Sequence, residues 1–75
     1  MNKERRKTIE ELADKLESLK DELDGIASDE REAFEALPEG LQNSERGQAS
    51  SDAADTLDQA SGELDSLIAD LRGIE

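Results

Sequence analysis

The chain has 75 residues, no cysteine, histidine, tryptophan or tyrosine, and a formal net charge of −12. That length supports one small domain, and the missing residue types exclude disulfides, thiolate metal sites and Ser-His or Cys-His nucleophile pairs. Apolar runs stay at two or three residues, so neither a membrane span nor a secretory signal is expected, and the sequence reads as cytoplasmic.

Residues 1–7 form a basic arm, with Lys3, Arg5, Arg6 and Lys7 against Glu4. Cations sit badly at a helix N-terminus, so the arm is expected to fray or to fold across the end of helix two. Thr8-Ile9-Glu10-Glu11 matches a capping box and predicts helix one over 8–37. Its apolar residues Ile9, Leu12, Leu16, Leu19, Leu23 and Ile26 alternate steps of three and four. Gly25 falls on the outward face, and Asp29-Glu30-Arg31-Glu32 can restart a helix, which leaves a kink open. Leu37-Pro38 ends the helix, because proline pushes the residue before it out of the α region.

A hinge over 38–43 follows, with Gly40 or Asn43 expected at positive φ. Ser44 is the expected N-cap of helix two over 44–73, with Glu45 in its first turn and Arg72-Gly73 as its stop. Helix two repeats the heptad rhythm in Ala53, Leu57, Ala60, Leu64, Leu67, Leu71 and Ile74. Folding the chain about residues 41 and 42 sets Ile9 on Ile74, Leu16 on Leu67 and Leu23 on Ala60. Mirrored heptads predict an all-α fold, an antiparallel two-helix coiled-coil hairpin forming a single domain.

One apolar stripe is too little to hold so short a chain without a staple, and with no metal or disulfide the staple is self-association. Take Ile9 and Leu57 as heptad position a. One flank of the expected a/d seam then carries Ala13, Lys20, Ala27 and Phe34 against Gly47, Ala54, Ser61 and Ile68. That small, largely apolar flank is the expected oligomer interface, pairing two hairpins into a four-helix bundle. The alternative is a solvent face of small residues.

The hinge end breaks the pattern. Glu30 takes a core position, Ala33 faces Ser50, and Leu37 faces Arg46. As structure, this is a wetter tip with Arg46 neutralising Glu30. As function, it is a recess in which Phe34, Gln42, Asn43, Ser44, Glu45, Arg46 and Ser50 hold a ligand or a partner's loop.

No catalytic residue, metal site or cofactor is expected. Glu10, Glu11, Asp14 and Glu17 offer a divalent cation weak binding at most and match no EF-hand loop, and no glycine-rich phosphate loop appears. The acidic surface repels membrane and nucleic acid and suits a basic-surfaced protein. Outer carboxylates such as Glu17, Asp21, Asp58 and Asp65 either imitate a phosphate array or simply keep the protein soluble.

The segment Leu37-Pro38-Glu39-Gly40-Leu41-Gln42-Asn43-Ser44-Glu45-Arg46, set between two acidic heptad arms, resembles small phage and prophage accessory proteins with an L-P-E-x-L-Q-x-S-E-R hinge. The resemblance implies a viral protein acting in a bacterial cytoplasm, and accessory proteins of this size often counter host defence. The function it implies is non-enzymatic inhibition of a host defence protein by an oligomer, with Gln42, Ser44, Glu45 and Arg46 carrying the activity. Other expectations are a sponge for a small nucleotide signal, a nucleic-acid mimic, and a structural assembly protein.

Overall fold

The computed structural model describes Met1–Glu75 as an all-α arrangement of three helices, α1 (Lys3–Glu35), α2 (Glu39–Gln42) and α3 (Glu45–Arg72). At about 1.5 Å per residue the long helices span roughly 50 and 42 Å, which matches a molecule of 58 × 14 × 12 Å. α1 and α3 pack along their length in opposite directions. Arg72 near the end of α3 reaches Asp14 and Glu17 near the start of α1, while Ser50 at the start of α3 reaches Glu30.

α1 begins five residues before the expected Thr8. Asn2 is its cap, with Oδ1 accepting from the Arg5 amide at 2.8 Å, and Thr8 instead donates its hydroxyl back to the Glu4 carbonyl. The basic arm is therefore the first two turns of α1; lysine, arginine and glutamate are good helix formers, and the asparagine cap satisfies an N-terminal amide. α1 runs without interruption through Gly25. A Cβ there would meet nothing within 4 Å, so the glycine weakens the helix without serving a close approach.

The hinge holds no residue at positive φ, and neither Gly40 nor Asn43 takes the left-handed conformation expected of them. The one-turn helix α2 reverses the chain instead. The Leu41 and Gln42 amides both donate to the Pro38 carbonyl, at 2.8 and 3.1 Å. Ser44 does cap α3, accepting from the Gly47 amide at 3.2 Å.

The core lies one heptad position away from the expected a/d seam. Ala13, Ala27, Gly47, Ala54, Ser61 and Ile68 are the buried residues, and Ile68 alone among them is large. The a residues Ile9, Leu16, Leu23, Leu57, Leu64 and Leu71 are half-buried beside them, whereas the d residues Leu12, Leu19, Ile26 and Leu67 stay about half exposed. The flank expected to bind a second hairpin is thus spent inside the chain. Lys20 and Phe34, the other two residues of that flank, are half-buried there as well.

Small side chains explain the rotation. Alanine, glycine and serine at the e positions let two backbones approach closely, and close approach maximises dispersion contacts along the seam. Rotating a and e inward also brings the b positions within reach across the pair. Arg31 there bridges Asp55 and Asp58, Arg72 bridges Asp14 and Glu17, and the Ser61 hydroxyl donates to Asp24.

A candidate binding recess at the hinge end

The recess begins where the heptads lose their large residues. Glu30 and Ser50 occupy a positions and Ala33 a d position, so the helices flank a polar stretch with Leu37 as its one large apolar side chain. A cleft of about 440 Å³ results, lined by Glu30, Ala33 and Leu37 on one side and Arg46, Ala49 and Ser50 on the other. The Ser50 hydroxyl donates to the Glu30 carboxylate. No Glu30–Arg46 ion pair forms; serine takes the place expected for the arginine.

Arg46 is exposed, and it forms no ion pair. That sets it apart from Arg31 and Arg72, each bonded to two carboxylates. A guanidinium at the cleft wall presents planar donors suited to a carboxylate or phosphate. Methyl groups of Ala33, Leu37 and Ala49 supply the apolar lining beside it.

Of the seven residues marked for binding, Arg46 and Ser50 line this cleft. Gln42 and Ser44 build the corner. The Gln42 side-chain amide donates to the Leu37 carbonyl at 3.1 Å and the Glu35 carbonyl at 3.5 Å, satisfying groups that the end of α1 leaves unpaired. Ser44 both caps α3 and donates to the Leu41 carbonyl. Asn43 and Glu45 are exposed beside the corner, and Phe34 is half-buried along the seam; none of the three lines the cleft.

Gly47 fixes the corner. A Cβ there would lie 2.5 Å from the carbonyl oxygens of both Leu41 and Gln42, so α2 packs directly onto the first turn of α3. Much of the hinge motif is accounted for by this geometry: glutamine ties down α1, serine starts α3, and glycine admits α2. Glu30, Ala33, Leu37 and Ala49 complete the lining without having been marked for binding, although polar a and small d positions in an otherwise leucine-rich heptad are the signal of such a gap.

Along the opposite, charged side, the Ser61 hydroxyl and then the Lys20 ammonium hold the Asp24 carboxyl below the usual aspartate range. Asp24 in turn raises Lys20, chiefly through a hydrogen bond of 3.0 Å. Asp58 and then Asp55 hold the Arg31 guanidinium still further toward its charged form. No group of three carboxylates converges as a metal site, and no helix is long and apolar enough to cross a membrane. No protein-family model, curated protein or solved structure matches the chain.

Proposed function

We propose that this chain is a non-enzymatic accessory binding protein of the phage type, acting as an oligomer in a bacterial cytoplasm to inhibit a host defence component. In this reading α1 and α3 are the arms of a coiled-coil hairpin, and hairpins pair into a four-helix bundle. The uncommitted Arg46 at the hinge-end cleft is the observation that carries it. Arg31 and Arg72 are engaged in intramolecular ion pairs, whereas Arg46 is unpaired and is the one cation that lines the cleft. The net charge of −12 steers the molecule toward a basic-surfaced protein, while Arg46 and Glu30 fix the register of docking.

The test is affinity purification of the tagged protein from its bacterial host, read by native mass spectrometry, beside Arg46→Ala. A host protein retained by the parent chain and lost by Arg46→Ala, with helicity unchanged, is the expected result. Equal retention by both moves the binding site elsewhere.

The cleft supports one alternative. A volume of about 440 Å³ with a guanidinium and a hydroxyl suits a small nucleotide whose phosphate meets Arg46, which would make the oligomer a sponge for a nucleotide signal. Retained mass of a few hundred daltons in the same spectrum, or a thermal shift with cyclic nucleotides, favours that alternative.

A further inference from the structure

The rotation of α1 and α3 leaves a face uncovered. In an antiparallel pair with a and e facing inward, the d positions of both helices fall on the same side. Between Arg5 and Arg46, which take the d positions at its two ends, those positions are Leu12, Leu19, Ile26 and Ala33 on α1, and Ala53, Ala60, Leu67 and Ile74 on α3 and just beyond it; these eight are apolar. Leu12 is 49%, Leu19 56%, Ile26 56%, Leu67 55% and Ile74 37% exposed. The side carrying Arg31, Arg72, Asp55 and Asp58 is the opposite one, so the pair as a whole is amphipathic.

We propose that this d face is the interface with a second copy of the chain. The areas agree with that occupant. The molecule exposes 5627 Å², whereas a monomer of 8.2 kDa is expected to expose about 4,500 Å². The excess, about 1,100 Å², exceeds the roughly 800 Å² that each partner contributes to a stable interface. An elongated pair of helices has that surplus because its leucines are covered on one side only.

The stripe is also self-complementary. It is straight and two helices wide, and between Arg5 at one end and Arg46 at the other its d positions carry no charge, so a two-fold rotation sets leucine on leucine. A partner of different chemistry would find no ionic group along the eight apolar positions to recognise. The single large buried residue, Ile68, gives the isolated chain little interior of its own, and a second copy supplies the missing half of a core.

This proposal deepens the self-association on which the reading above rests, and its test does not involve Arg46. Sedimentation equilibrium of the full chain is expected to give twice 8.2 kDa, with association strengthened by added salt, because apolar burial survives screening while repulsion between acidic copies does not. Leu19→Glu is expected to weaken association by at least about tenfold. Because that variant can also unfold, single-cysteine variants decide the geometry, the parent chain having no cysteine.

Leu19 lies near the middle of the stripe, close to its own counterpart in either orientation of the two copies. Asp65 lies at a similar height on the opposite face and makes no ion pair. Leu19→Cys is expected to cross-link to itself with a short bismaleimide under native conditions, and Asp65→Cys to remain monomeric on the denaturing gel. A monomer at every concentration, association that survives Leu19→Glu, or cross-linking through Asp65→Cys instead would overturn the interface. Loss of a partner through Arg46→Ala with the dimer intact would leave it standing.

Discussion

Replacing Gly47 by alanine tests the corner more sharply than any other single change. Its Cβ would stand 2.5 Å from the Leu41 and Gln42 carbonyl oxygens and 2.8 Å from the Gln42 carbonyl carbon. Comfortable contact lies roughly 1 Å further out, and the atoms in the way are backbone, unable to swing aside as a long side chain would. Overpacking of this kind costs about 1–3 kcal/mol. Moving α2 to relieve it disturbs the Ser44 cap, whose loss is worth about 0.5–2 kcal/mol. Against these stands the helix preference of alanine over glycine, about 1 kcal/mol.

The net expectation is a loss of about 1–3 kcal/mol, or a fall in Tm of roughly 5–20 °C at a size of 60–100 residues. The same substitution at Gly25 or Gly62, where a Cβ would meet nothing within 4 Å, is expected to stabilise by about 0.5–1 kcal/mol. Thermal melts followed by far-ultraviolet circular dichroism, at one fixed protein concentration, measure all three. The reasoning fails if Gly47→Ala melts at or above the parent, or if the three glycines respond alike.

Two further outcomes follow from the seam. Ala54 is fully buried, so Ala54→Leu is expected to cost about 1–3 kcal/mol by forcing the helices apart; an unchanged urea midpoint would show that the seam is looser than described. Asp24, held low by Ser61 and Lys20, stabilises the fold above the ordinary aspartate value of 3.8 and loses that contribution as pH falls through its depressed folded value. Asp24→Asn should therefore melt below the parent at neutral pH, with the gap closing only in strong acid, and Ser61→Ala should move the Asp24 carboxyl resonance to titrate at higher pH. A gap independent of pH would refute the assignment.

The helical character, the reversal near residues 41 and 42 and the cap at Ser44 are legible from local chemistry. Heptad spacing, a proline after Leu37 and a serine before an acidic turn act within a few residues, and they act in the same way whatever the rest of the chain does. The start of α1 was less legible, since Asn2 and Thr8 both offer caps and helix propensity from Lys3 onward decided between them. The gap at the hinge end was visible in Glu30 and in the facing pairs Ala33–Ser50 and Leu37–Arg46, which line it together with Ala49; that Phe34, Gln42, Asn43, Ser44 and Glu45 stay outside it was not. Gln42 and Ser44 look like site residues in a list of polar side chains; only the corner shows that their hydrogen bonds are already committed to the carbonyls of Leu37 and Leu41.

What the sequence alone determined is the periodicity, and with it two apolar-edged helices running in opposite directions. Which edge goes inside was decided by tertiary structure. A heptad marks a stripe more than one residue wide, and a few tens of degrees of rotation separate a/d packing from a/e packing. The leucines favour the first through area and the Ala13, Ala27, Ala54 and Ser61 stripe favours the second through close approach. Each helix's choice depends on the surface the other presents, so the balance is a property of the pair. That is why the small residues lie within the molecule and the leucines of the d face without.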